Sequence, residues 1–162
     1  MKKIVISKGD YMVHLVYLDN KEKELEKILS NKKTMIIRGA AGRKIPHSRV
    51  FEGETLYFME KGSLKVTLKA SVKNVKNYVK LSNEEIIDIL SSNQNKLNLS
   101  NKQQKRWHKK CLVLVEFDNL KEIEPLDFEH QSNMDDWLII DKIEDVLVGS
   151  SIPYNYAKSK LK

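Results

Sequence analysis

Five basic residues, Arg38, Arg43, Lys44, His47 and Arg49, fall close together and enclose two of the chain's six glycines, Gly39 and Gly42. Glycine permits positive φ and lets backbone N–H groups approach a ligand closely, while arginine offers several donors in a fixed fork. Together these residue types suit an anion, either a phosphate or the acceptor edge of a base. The spacing is not that of a Walker loop, which needs a lysine followed by Ser or Thr after its last glycine. The competing reading is a surface loop whose charges only solubilise it.

Two further sets could extend such a site. Lys65, Lys69 and Lys73 alternate with Val66, Leu68, Ala70 and Val72, a period of two that turns one face of a strand inward and leaves the other as a ladder of cations. Trp107 lies in "KQQKRWHKK" and Tyr57 in "ETLYFME". An aromatic platform among cations is the combination that holds an unpaired base, although a lone tryptophan on a short helix is as readily a core anchor. Glu116, inside "LVLVEF", shares a face with Leu112 and Leu114 and needs a cationic partner there; Lys33 and Arg38 are the candidates. Asp135 and Asp136 precede Trp137 and could hydrogen-bond a base edge, but better suit a cap.

Metal and cofactor chemistry is not expected. His14, His47, His108 and His130 show no ligand spacing, and the single cysteine, Cys111, opens an apolar strand and reads as core. One cysteine also excludes an intramolecular disulfide and fits a reducing cytoplasm. No apolar run approaches the roughly 20 residues of a membrane span, and the start, "MKKIVISKGDYMV", lacks the apolar core of an export signal. The net charge is +7, but residues 114–145 hold eleven acids against two bases, a balance of −9, which leaves +16 for the rest. That separation gives the fold a positive region able to attract polyanions.

The elements that must position these residues can be read from period and turn signals. Residues 2–6 and 11–18 suit strands joined at Gly9-Asp10. "DNKEKELEKILSNKK" is a short amphipathic helix with Leu25, Ile28 and Leu29 on one face and Asp19 or Asn20 as cap. It feeds the strand "KTMIIR". The strands "ETLYFME", "SLKVTLKASVKNV" and "KKCLVLVEFD" follow, the first two joined at Gly62-Ser63. A helix opens at Ser82 with Glu85 as its capping-box partner, another starts at Ser100, and Trp137 to Asp141 forms a last strand. The expected architecture is α+β, a small and mostly antiparallel β-barrel with helical insertions, occupying residues 1–150 as a single domain. Residues 151–162 form a basic, flexible tail.

The order of helix, "NKKTMIIR", polar loop, "EGETLYFME", "VTLKASVKNV", helices and "LVLVEF" resembles an ASCH domain of the PUA-like superfamily, over residues 19–118. The resemblance implies a barrel with a cleft between the lysine-threonine strand, the following loop and the helical insert. It also implies binding of RNA or modified bases. One small ASCH type hydrolyses acetylated cytidine with a lysine, a threonine three residues on and a glutamate from the insert. Lys33 matches the lysine; Ile36 stands where the threonine belongs, and the insert offers Gln94 and Asn95 near the glutamate. A lysine base also needs a depressed pKa and a proton relay, so the departures weaken hydrolysis.

The expected function is therefore binding of RNA or a modified nucleotide without chemistry. Lys33, Arg38, Gly39, Gly42, Arg43, Lys44 and Arg49 would make the contacts, Lys65, Lys69 and Lys73 would extend the track, and Trp107 or Tyr57 would stack. Lys33 and Glu116 are the candidates in the hydrolytic alternative. A third alternative is a protein-interaction domain whose acidic segment docks a basic partner.

Overall fold

Unbroken apolar runs such as "MII" and "CLVLV" mark strands that are covered on both faces, and this sets the architecture. The computed structural model describes residues 11–130 and 136–154. The expected strand at 2–6, its Gly9-Asp10 turn, Asp135 and the tail beyond 154 lie outside the described residues. In chain order the elements are β1 (Val13–Leu18), α1 (Glu24–Leu29), β2 (Met35–Ala40), β3 (Thr55–Glu60), β4 (Lys65–Tyr78), α2 (Asn83–Ser92), α3 (Gln94–Leu97), α4 (Asn101–Arg106), β5 (Cys111–Asp127) and β6 (Trp137–Ile140), then a 3-10 turn at Ile143–Val146.

The strands form one sheet in the order β2-β5-β4-β3-β1-β6. Every pairing is antiparallel except β1 with β3, and these are joined through α1 and β2, since parallel neighbours need a crossover. The result is an α+β half-barrel. Its edges, β2 and β6, are not paired with each other among the described residues, so a seam is left between them.

Side chains sort onto two faces. Val16, Leu18, Ile36, Leu56, Phe58, Leu68, Val113, Val115, Phe117 and Trp137 fill the concave face. On the convex face, Met35, Ile37, Leu112 and Leu114 pack against Leu81, Ile86, Leu90, Leu97 and Trp107 of the helical insert. At the other end Leu15, Met59 and Leu138 pack against Ile143 and Val146. The insert is fixed by two capping boxes, Ser82 with Glu85 and Ser100 with Gln103, each satisfying two orphan N–H groups.

Some local expectations differ. Leu64, expected inward, is exposed at positive φ in the β3–β4 turn, and Leu29 is exposed at the end of α1. Helix α1 has no side-chain cap at Lys23, its N-cap residue. Asp19 instead accepts from the N–H groups of Lys21 and Glu22, while the Glu24 carboxylate accepts from the Asp19 N–H. This reciprocal tie brings both acids to the end of β1.

Gly39 lies within β2, and neither Gly39 nor Gly42 has positive φ; Gly53, Gly62 and Gly149 do. What Gly39 supplies is proximity: a Cβ there would sit 2.6 Å from Leu112 Cδ2 and 2.8 Å from the Cys111 carbonyl oxygen. Around Gly42 there is open space. Gly39→Ala is accordingly expected to lower unfolding stability by about 1–3 kcal/mol, and Gly42→Ala to change it by no more than about 0.5 kcal/mol. Urea unfolding of both variants checks the contrast, and equal effects would contradict it.

Candidate functional site

Arg38 points from β2 across the seam, on the same strand face as Ile36. Its guanidinium lies 5.6 Å from the Trp107 ring centre and 5.8 Å from that of Trp137, so it rests between a helix-insert tryptophan and the first residue of β6. Nη1 donates to the Ile37 carbonyl at 2.8 Å and Nη2 to the Tyr17 carbonyl at 2.7 Å. Nε is buried and makes no hydrogen bond. Removal from water pulls the Arg38 pKa below the usual arginine value, and the nearby carboxylates of Glu24, Asp136 and Asp19 oppose that pull.

Trp137 is held from behind. Its indole N–H donates to His14 Nδ1 at 2.9 Å, and His14 Nε2 meets Glu54 at 2.9 Å. An indole can only donate, so Nδ1 is the acceptor and the ring hydrogen sits on Nε2, directed at the carboxylate. Glu54 also accepts the backbone N–H groups of Met12 and Phe51. All three side chains are almost fully buried, which gives Trp137 one orientation.

Two recesses meet at Arg38. The first, about 260 Å³, is walled by Asp19 and Glu24, by Lys21 and Lys61, and by Gln103 of α4. The second, about 330 Å³, opens past Gly39 and is rimmed by Lys44, Lys105 and Lys109. Arg38, Arg106, Trp107 and Asp136 line both. Among the described residues the first therefore mixes four cations with three acids, whereas the second sets five cations against Asp136 alone. Such an arrangement offers neutral hydrogen-bonding edges a home in one and anions a home in the other.

The structure brings Arg38, Gly39, Lys44 and Trp107 together as the sequence suggested, and separates the rest. Arg43 and Arg49 line neither recess. Tyr57 packs on the convex face beside the Ile143–Val146 turn, where burial and Glu144 raise its pKa. Lys65 pairs with Asp127 and Lys73 lies 4.0 Å from Glu116, so these lysines serve the long β4–β5 ribbon. Lys69 stands opposite Lys121 in that ribbon. Trp107 is both things considered: a buried anchor of the insert and a recess wall. His47 is tied to the Tyr78 carbonyl and to Ser48.

The two catalytic candidates do not meet. Glu116 is paired with Lys96 at 3.2 Å, and not with Lys33 or Arg38 as the shared strand face suggested. Lys33 is buried, donating to the Leu97 carbonyl at 2.5 Å with Glu24 at 3.4 Å, and it lines neither recess. Ile36 is core, and Gln94 exchanges hydrogen bonds with the backbone of Leu99. Asp136 does not act as a cap; its side chain meets Lys61 and Arg106. Among the described residues no three His, Cys, Asp or Glu side chains gather as a metal site.

Sequence reasoning missed Asp19, Glu24 and Gln103 as recess residues, named Arg106 only within the cluster around Trp107, and favoured a cap for Asp136. The signals present were the "S-N-K-Q" capping box, which fixes where Gln103 points, and the basic cluster around Trp107.

Burial lowers the Lys33 pKa from 10.5 to about 8, with Glu24 as the main opposing influence. Below pH 8 the folded and unfolded chains both carry the charge, and its desolvation cost is present in full. Between about 8 and 10.5 the unfolded chain holds more proton, so this residue's contribution to stability rises with pH. Relative to Lys33→Met, the wild-type unfolding free energy should climb by on the order of 3 kcal/mol from pH 7 to pH 10.5. A flat difference in denaturant unfolding across that range would contradict the assignment.

No family model matches the sequence, and no curated protein matches it. The fold does have solved counterparts in the ASCH protein of Zymomonas mobilis. One structure superposes with a TM-score of 0.54 at 15% identity, covering 71% of this chain and 73% of the other. Two single-residue variants of the same protein give TM-scores of 0.56, at 15% and 16% identity, over 71% and 74% of this chain and 75% and 76% of theirs. The order of strands and helices laid out above is thus that of a known architecture, and this chain has an ASCH-type fold.

Proposed function

We propose that the chain binds RNA, or a single modified nucleotide, at the two joined recesses, and that it does so without covalent chemistry. The observation that carries this reading is the Arg38 guanidinium, set between two tryptophans at the junction of a mixed-charge recess and a cation-rimmed one. A base supplies both donors and acceptors on its edge and fits the first recess; a phosphate fits the second. Arg38, with only two of its five donors engaged in the free protein, is placed to meet an acceptor on either part.

Hydrolysis is the weaker reading. Its lysine, Lys33, is enclosed and engaged by Leu97 and Glu24, so its amine has no reach to a ligand in either recess. The insert brings Gln103, an amide, to the first recess, and the carboxylates there come from α1 and from the ends of β1 and β6 rather than from the insert as the hydrolytic resemblance implies. Nothing in the geometry favours the protein-docking alternative over a nucleotide, because the acids of the β5 ribbon are partly matched by lysines of β4 and of α3.

Phosphate contacts release counterions, so affinity should fall with salt according to their number. Lys44, Lys105, Arg106 and Lys109 can supply three or four. With roughly −0.7 per contact on single strands, log Kd against log salt should have a slope of magnitude about 2 to 3. Substituting Lys44 and Lys109 together by Ser should remove about 1.4 from it, whereas Arg43→Ser with Arg49→Ser should leave it unchanged. Fluorescence titration with a mixed-sequence hexaribonucleotide measures all three slopes. Loss confined to the Arg43 and Arg49 variant would return the contact to the outer loop and contradict the recess.

A further inference from the structure

Arg106 is one of the four residues that line both recesses. Its guanidinium stacks 4.7 Å from the Trp107 ring centre, with Nη2 3.2 Å from Asp136 and Nη1 3.7 Å from Asp19. Asp136 is shared, since Lys61 lies 3.3 Å from its other oxygen. The three elements so joined are the start of β6, the end of β1 and the last turn of α4. All of these pairs are solvent-facing, with Arg106 about half exposed.

We propose that Arg106 is the phosphate clamp of the site and that Asp136, aided by Asp19, holds it in reserve until a nucleotide arrives. This rests on the nucleotide-binding reading and adds to it the ligand class: a base joined to a phosphate, with a nucleoside alone engaging only half of the site. Three observations converge. Arg106 borders both recesses, so a phosphate in the second recess lies within reach of the same guanidinium that a base in the first must pass. Among the described residues Asp136 is the only acid on the second recess, where it opposes an incoming phosphate directly. The ion pairs are exposed, and a pair of that kind shifts an equilibrium by no more than about fivefold, so a phosphate can displace it. The ring of Trp107 keeps the guanidinium plane in place while its partners change.

The consequence is counterintuitive for a recess residue: removing a wall should improve binding. With Asp136→Asn, Arg106 loses the competitor at Nη2 and the second recess loses a negative charge. The test compares Kd values at low salt for a mixed-sequence hexaribonucleotide, a mixture of the four nucleoside 5′-monophosphates, the four parent nucleosides and inorganic phosphate. The proteins are wild type, Asp136→Asn, Arg106→Gln and the double variant, each checked for an unchanged circular dichroism spectrum. Asp136→Asn should tighten the hexaribonucleotide and the monophosphates by about three- to tenfold and leave the nucleosides unchanged. Arg106→Gln should weaken the phosphate-bearing ligands, and the double variant should show at most a minor part of the gain. Unchanged or weaker binding by Asp136→Asn overturns the proposal. So does a gain of the same size in the double variant, which would be a general charge effect. If no protein retains any of these ligands, the nucleotide-binding reading fails first and this inference falls with it.

Discussion

A permanently charged guanidinium set into a protein wall needs acceptors and neighbouring acids, because desolvation removes the stabilisation that water gave it. Arg38 is in that position, and much of the surrounding geometry answers its demand. Two backbone carbonyls, Ile37 and Tyr17, take two of its hydrogens. Two tryptophan ring centres lie 5.6 Å and 5.8 Å from its guanidinium, and three carboxylates stand near enough to oppose the pKa shift. Truncating it would leave a gap where the half-barrel has no strand-to-strand hydrogen bonds.

Seen this way the seam between β2 and β6 is the useful part of the sheet. A closed barrel would bury Arg38 against a ladder of backbone bonds; an open one leaves it flanked by side chains from α1, α4 and the ends of β1 and β6. The helical insert covers the convex face with Leu81, Ile86 and Leu97, and swings Trp107 and Arg106 to the seam as its last turn ends. On the other side, the Glu54–His14–Trp137 chain fixes the β6 edge by a buried hydrogen-bond network. A network of that kind is rigid because each member has one satisfactory arrangement.

Much of the fold was legible because it follows local rules. The Ser82 and Ser100 capping boxes, the Gly62-Ser63 turn, and the alternation of Val66, Leu68 and Ala70 with Lys65, Thr67 and Lys69 all appear in the structure. The site was legible only in part, since it depends on pairings at long separation. Arg38 and Trp107 carry chemical types that draw notice alone. Asp19, Glu24 and Asp136 do not: acids beside a turn or an aromatic are common, and only the fold brings them within reach of the same cation. Gly39 and Glu116 mislead for the same reason. Gly39 reads as a loop glycine but makes room for β5, and Glu116 finds Lys96 from the insert, 20 positions earlier in the chain.

The two recesses differ in electrostatic character, and Arg38 lines both. Among the described residues no protein partner takes its Nε–H, so that proton reports on the guanidinium itself. The most direct measurement is the nitrogen-15 correlated NMR signal of the Arg38 Nε–H, assigned with the Arg38→Lys variant and followed as a mixed-sequence hexaribonucleotide is added. The account predicts a progressive shift of that signal that saturates with the same Kd as the backbone amides of Lys44 and Lys105. Saturable shifts at those amides with the Arg38 signal unmoved would contradict it.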